Sequence, residues 1–486
     1  MSEFVESKKR LAFIVLFELV DTFFQISQRL GDDVEAYFVV STQTNYRQLL
    51  ALGVDKLRIL NVARTRAEVR KLGAVPPGLE DKIDEFERFG PTFSSIILMS
   101  RFYRGESSAA LMHYMVLTAL EIEEFCLRNR VEWVIVEPTN AVELLATAAA
   151  AKNGIPIGNI GFSRLPHNRL VLYQDIEERE FYPLACKNSR SDSAAFEAAE
   201  TWLKQYREAP SRPAYFAAQA ARRSISSLLR SSWQNLSLLV GGFTGACEVN
   251  SFRFLDLVIL YARPYFASLK RRIITVEQGS EWKGRRPYVA YFLHVCPERS
   301  VDVVAPWFSN QLEVIKTIRR ALPSKYDLLV KEHPSAQGGQ PLSFYRQLRN
   351  IPNLYLLNAG IDSRSLIRNA AFITTISGTT AYESALLKTP ALIFSKVFFR
   401  KLPLIFRCTS PETLPELMQQ AIAAPRDYEP DPAVGFLAGI LVNSVESNWN
   451  GSGGILPMET IDSFCELLGN AAAVRDGEAQ PINSLG

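Results

Sequence analysis

The sequence predicts an α/β protein of two Rossmann-like, doubly wound lobes joined by a helical insert. Three observations carry that reading. Apolar segments of strand length alternate with helix-length segments at both ends of the chain, which implies parallel sheets covered on both faces. Between them, from Phe181 to about Thr275, helical patterning runs on without strands. Finally, two polar clusters, Lys331-Glu332-His333-Pro334 and Ser377-Gly378-Thr379-Thr380-Ala381-Tyr382-Glu383, each stand where an apolar strand stops. Loops at the carboxyl ends of parallel strands converge on a ligand crevice, so these clusters mark one for an anionic, nucleotide-like ligand.

Taken in order, the first lobe (1–180) opens with a strand over Leu11–Phe17, a helix over Asp21–Leu30 and a strand over Glu35–Val40. A helix over Ser107–Asn129 leads to the strand Trp133–Val136, an Ala-rich helix Ala141–Asn153 and a strand near Ile155–Ile160. The stretch Leu60–Ser100 shows no period that assigns it. The insert (181–285) is followed by a second lobe (286–472) with strands over Tyr288–His294, Asp327–Val330, Leu354–Leu357, Ala371–Thr375 and Ala391–Phe394. Its helices run over Ser309–Leu322, Ser343–Arg349 and Thr380–Leu387. Three more, Pro411–Ala423, Val434–Val445 and Met458–Leu468, are expected to close this lobe, and the polar tail 473–486 is expected to be disordered.

At 486 residues and 47% hydrophobic, the chain exceeds what one core supports. Its 54 Lys and Arg against 51 Asp and Glu leave no net field that would argue for nucleic acid as partner. The exception is local. Between Arg212 and Arg272 nine basic residues face only Glu248 and Asp256, with Trp233, Tyr261 and other aromatics interleaved. Such a segment either lies on an anionic membrane surface or packs its aromatics inward under a solvated Arg face. The six cysteines are dispersed, with no ligand-type spacing, and read as buried thiols of a reducing cytosol. The N-terminus does not resemble a signal peptide, and no window has the ~18 uninterrupted apolar residues of a spanning helix. A cytoplasmic protein is expected, peripheral on the inner face of the membrane if the basic segment binds it.

His333 follows a strand and is held extended by Pro334, so its imidazole can donate to a phosphate oxygen, with Lys331 adding charge; the alternative is a structural histidine. Ser377, Gly378, Thr379 and Thr380 offer hydroxyls, a close backbone approach and the N-terminus of the next helix, a seat for an anion. Glu383 either closes a capping box with Thr380 or accepts ribose hydroxyls.

The segments Leu293-His294-Val295-Cys296-Pro297-Glu298, Leu329-Val330-Lys331-Glu332-His333-Pro334 and Ile376-Ser377-Gly378-Thr379-Thr380-Ala381-Tyr382-Glu383, with Gln311 and Thr389-Pro390, resemble the bacterial capsular and surface polysaccharide biosynthesis proteins. That family is similar to the GT-B glycosyltransferases that include Kdo- and sialyl-transferases. The resemblance covers about residues 286–400. It implies a GT-B-like fold in which His333 and the Ser377–Thr380 loop hold the nucleotide and phosphate of a sugar nucleotide, often a CMP-sugar. Ala381-Tyr382 stands where relatives commonly have Gly and Leu, and Cys296 departs from their His-Val-x-Pro-Glu segment, which leaves the donor open.

Inverting transfer needs a carboxylate to take the acceptor's proton while donors in the opposite lobe stabilise the leaving phosphate. Glu137, ending Trp133–Val136 before Pro138, is the candidate base and Glu143 the reserve; for each the alternative is a surface or helix-capping acid. His294, Glu298 and Arg164 fall at strand ends, where they orient substrate or pair with a neighbour. No Asp-x-Asp motif is present, so metal-independent chemistry without a cofactor is expected, the alternative being a magnesium ion held mainly by the ligand itself. The reading is a glycosyltransferase moving a sugar from a nucleotide-sugar donor to a polysaccharide or glycolipid acceptor. Its rivals are a CDP-alditol phosphotransferase and a non-catalytic capsule assembly or export protein.

Overall fold

A computed structural model describes residues 8–16, 19–184, 192–209, 247–251, 284, 286–296, 298–334, 339–357, 360–449, 451 and 453–477. The chain is an α/β protein of two doubly wound lobes. In the first, a seven-stranded sheet contains β1 (Lys9–Val15), β2 (Val34–Val40), β3 (Ile59–Asn61), β4 (Trp133–Val136), β5 (Ile157–Phe162), β6 (Arg169–Tyr173) and β13 (Val445–Glu446), in the order β13-β6-β5-β4-β1-β2-β3. The five strands β1 to β5 are parallel, and β6 and β13 extend the sheet antiparallel. The near-continuous apolar reading of Leu11–Val15 follows from burial on both faces. Ala12 and Ile14 join one core while Leu11, Phe13 and Val15 join another.

The second lobe repeats the plan with six strands, β7 (Tyr288–Phe292), β8 (Asp327–Lys331), β9 (Leu354–Leu357), β10 (Ile373–Thr375), β11 (Ala391–Ile393) and β12 (Ile405–Arg407), all parallel in the order β12-β11-β10-β7-β8-β9. Leu328 and Val330 face one core and Leu329 the other, the period of two that a doubly covered strand requires. In each sheet the winding reverses next to the first strand of its lobe, between β1 and β4 and between β7 and β10. Open α/β sheets bind ligands outside the carboxyl ends of the strands at such points.

Two features differ from the sequence expectation. The unassigned stretch after Leu60 folds as short helices, Arg66–Leu72, Pro77–Glu87 and Phe93–Met99. With two or three turns each, they carry too few repeats to show a period. The closing segment also returns to the first lobe rather than completing the second. Val445 pairs with Leu170 of β6, and the Met458–Arg475 helix sets Ile461, Phe464, Leu467 and Leu468 into the core that holds Phe13 and Phe23. Arg29 and Asp462 pair at 2.6 Å beside it. An amphipathic helix shows that it covers a sheet, not which one.

The insert's basic segment 212–272 lies outside the described residues apart from 247–251, and its expected membrane contact lies there too. The described parts of the insert are attached to different lobes. The Asp192–Glu208 helix packs Ala195, Ala199 and Leu203 against Leu437 and Ala438 of the second lobe, and Arg207 donates to the Leu386 carbonyl at 2.8 Å. Residues 247–251 lie on the first lobe, where the fully buried Arg66 donates to the carbonyls of Phe102 and Ser251 at 2.9 Å and pairs with Glu106 at 3.0 Å. Arg66→Ala would orphan those carbonyls and half of the Glu106 network. Breaking a buried ion pair costs about 3 kcal/mol or more. A urea melt of the variant should show a loss of that size; a loss below about 1 kcal/mol would mean the cluster is solvated. Among the described residues no helix is long and apolar enough to cross a membrane.

Candidate functional site

The later lobe builds its site around the β7/β10 reversal. His294 leaves β7 and is buried, and its Nε2 lies 2.9 Å from Thr375 Oγ1 at the end of β10. The backbone N–H groups of Ile376 and Ser377 both donate to that same nitrogen, at 3.2 and 3.3 Å. An imidazole nitrogen that accepts two amide protons carries none itself. Burial, with the charges of His333 and Arg164 acting the same way, pushes the His294 pKa down to about 3. Gln311 fixes its backbone from both sides, accepting from His294 N at 2.8 Å and donating to its carbonyl at 3.2 Å. His294 therefore staples the two loops together, the neighbour-pairing alternative of the sequence reading.

The loop after β10 divides its polar groups between the fold and the open side. Ser377 is fully buried, and its hydroxyl donates to the Ser300 carbonyl at 2.5 Å, so it is spent on the fold rather than open to a ligand. Gly378 leaves no room for a side chain, since a Cβ there would lie 2.7 Å from Thr375 Oγ1 and 3.2 Å from Thr380 Oγ1. It is also the N-cap of the Thr379–Leu386 helix, without a side-chain cap. The first-turn N–H groups are thus left for another acceptor. Glu383 lies beyond that first turn, so the capping box with Thr380 does not form. It sits instead near Tyr206, whose pKa its charge helps to raise.

His333 follows β8 and lines an open pocket of about 240 Å³ together with His294, Cys296, Glu332 and Gln340. Burial and the neighbouring Lys331 charge hold its pKa below the ordinary histidine value, so at neutral pH it is an uncharged donor. Lys331 is 2% exposed and acts on the pocket through its field. Glu332 accepts from the Tyr345 hydroxyl at 2.5 Å.

The first lobe meets this site through charge. Arg164, with φ +67°, ion-pairs with Glu178 and donates to Thr379 Oγ1 at 3.3 Å, placing a guanidinium from the first lobe at the helix N-terminus of the second. Arg299 of the second lobe reaches back to Glu178 at 3.1 Å and to Asn159 Oδ1 at 3.0 Å. Burial alone would raise the Glu178 pKa, but Arg164 and Arg299 overcome it and hold the carboxyl below the usual range. Glu298 accepts from Ser300 Oγ at 2.8 Å, and burial raises its pKa.

Glu137 stands at the end of β4, beside the first lobe's own reversal. Among the described residues its carboxylate makes no hydrogen bond and no ion pair. Burial raises its pKa, Arg299 pulls it down, and Glu178 adds to the rise. Glu143 is different. It is 1% exposed, accepts from Asn140 N–H at 2.9 Å, and burial pushes its pKa up to about 8. It is a protonated acid at the start of its helix, the capping alternative.

Arg299, Glu178 and Asn159 were not singled out from sequence. Arg299 opens a one-turn helix and Glu178 lies in an irregular loop at φ +57°, so neither had a strand-end context to mark it. Among the described residues no group of three His, Cys, Asp or Glu could hold a metal ion.

No protein-family model matches the chain, and no curated protein matches it by sequence. Solved structures similar to it include Staphylococcus aureus MnaA with UDP, at 11% identity and a TM-score of 0.29, covering 99% of this chain and 100% of that one. Another is the beta Kdo 2,7 transferase KpsC of Thermosulfurimonas dismutans, at 10% identity and 0.31, covering 72% and 89%. A third is the Methanocaldococcus jannaschii UDP-GlcNAc 2-epimerase in complex with UDP-GlcNAc and UDP, at 12% identity and 0.28, covering 89% and 99%.

Proposed function

We propose that this protein is a glycosyltransferase of surface-polysaccharide assembly. It would transfer a sugar from a nucleotide-sugar donor to a glycan or glycolipid acceptor with inversion. The observation that carries the reading is that each sheet's winding reversal holds a group suited to one half of such a transfer. In the second lobe the uncharged His333 and the uncapped helix N-terminus at Gly378, with Arg164 beside it, suit an anionic leaving group. In the first, Glu137 is a carboxylate without a partner whose pKa is raised toward the working range of a general base.

The step balances without further reactants. Glu137 takes the acceptor hydroxyl proton as that oxygen bonds to the anomeric carbon. The bond from anomeric carbon to phosphate oxygen breaks, and its electron pair leaves on the nucleotide phosphate. That charge meets His333 N–H, the first-turn amides and the Arg164 guanidinium. Arg164 thereby becomes a leaving-group contact, and Glu178 a positioning residue that holds it.

The test is a melting series of the full chain with CMP, UDP and GDP. A ligand that binds only the native state raises the melting temperature, by an amount equivalent to about 2.7 kcal/mol at a hundredfold excess over Kd. At least one nucleotide should give a saturable rise. No shift with any of them would remove the enzymatic reading and leave the assembly role.

A further inference from the structure

The carboxyl edge of the second sheet carries polar groups that the transfer just described does not use. Ser395 is 3% exposed and its hydroxyl has no hydrogen-bond partner. Thr380 Oγ1 and Arg407 Nε are likewise buried and unpartnered. Among the described residues Arg407 enters no ion pair. Buried polar groups are almost always satisfied, and an orphan costs free energy that a ligand can recover.

The strand register sets Ser395 and Arg407 on neighbouring strands, beside the strand that leads into the helix carrying Thr380. Thr375 pairs with Ile393 and Ile393 with Arg407. The pairing continues past β10 and β11, because Phe394 N–H donates to the Ile376 carbonyl at 3.0 Å, which sets Ser395 level with Ser377. On β11 and β12, Ile393 and Ile405 face the core under the Thr379–Leu386 helix, whereas Phe406 and Cys408 face the opposite one. Alternation therefore puts Arg407 on the helix side. The loop that Ser395 begins also meets the first lobe at the crevice. Lys396 lies 3.5 Å from Glu177, and Phe398 N–H donates to the Glu178 carbonyl at 2.8 Å. Glu178 is the carboxylate paired with Arg164, which reaches Thr379. The acids nearby are already matched, Glu178 by Arg164 and Arg299, Glu177 by Arg179 and Lys396.

We infer that Ser395, Thr380 and Arg407 form a second anion seat, with Ser395 about one strand spacing (~4.8 Å) and Arg407 about two from the strand that leads into the helix N-terminus, so that the donor carries two anionic groups. This rests on the nucleotide-sugar reading of the same crevice. The second group is either the further phosphoryl of a nucleoside diphosphate or the carboxylate of an acidic sugar on a nucleoside monophosphate. Both offer two oxygens to a guanidinium and a hydroxyl.

Isothermal titration of the full chain with CMP, CDP, UMP, UDP and CMP-N-acetylneuraminic acid tests it in wild type, Ser395→Ala, Arg407→Gln and Arg407→Lys. Wild type should bind one doubly anionic ligand at least about tenfold tighter than the monophosphate of the same base, the size of one charged hydrogen bond. Arg407→Gln should erase that advantage and leave the monophosphate Kd in place, Ser395→Ala should reduce it, and Arg407→Lys should retain part. Preference for CDP or UDP identifies the phosphoryl group, and preference for the acidic sugar nucleotide the carboxylate. If wild type binds nucleotides without such an advantage, or if Arg407→Gln leaves the ratio unmoved, the second seat is overturned while the transferase reading stands. If wild type binds none, both fall together.

Discussion

Glu137→Gln should abolish turnover while leaving nucleotide affinity within about twofold of wild type. A positioned general base contributes about 10²- to 10⁴-fold, and the amide preserves shape while losing the ability to accept a proton. Binding should survive because Glu137 belongs to the opposite lobe from the groups assigned to the nucleotide. The pH profile is an independent check. Only the ionised carboxylate is a base, and burial raises its pKa above the ordinary carboxylate value. The acid limb of kcat/KM should therefore lie above that value, with activity lost as pH falls through it. Glu143→Gln should leave that limb where it is, since an acid whose pKa is pushed up to about 8 is already protonated at neutral pH. Turnover in Glu137→Gln within about tenfold of wild type would assign the base elsewhere.

His333→Ala should weaken nucleotide binding by about tenfold or more, the loss of a hydrogen bond to a charged phosphate. The effect should change little between pH 7 and 8, because burial and the Lys331 charge lower the imidazole pKa from its ordinary value. Affinity that instead rises steeply as pH drops would mean an imidazolium binds the ligand. His294→Ala makes the contrast. Its imidazole takes the amides of Ile376 and Ser377, so its removal should lower the melting temperature as well as affinity. If both variants lose stability equally and neither loses affinity at a temperature where both are folded, His333 is structural.

Much of the fold was legible because it rests on short-range patterning. Trp133–Val136 and Leu354–Leu357 match the structure to the residue, since four-residue apolar runs bounded by polar breaks are too short for a helix. The helix after Ser377 was placed within one residue at each end. The site was legible only as strand ends. Sequence marked Glu137, His294, His333 and the Ser377–Thr380 loop, but not that Ser377 would turn its hydroxyl inward or that Glu143 would be buried. It gave no sign of Glu178 and Arg299, because an ion pair between residues 121 positions apart has no local signature.

Local patterning is enough to specify two mainly parallel α/β sheets and the loops that leave their carboxyl edges, because periodicity and breaker residues act within a few residues. Long-range packing settles that the last helix covers the first sheet, that Arg164 crosses to the N-terminus of a second-lobe helix, and that among the described residues Glu137 has no hydrogen-bond or ion-pair partner while Glu143 has one. Those outcomes depend on which distant surfaces come together and exclude water. Burial, which sets both pairing and pKa, is a property of the assembled fold and not of any segment of it.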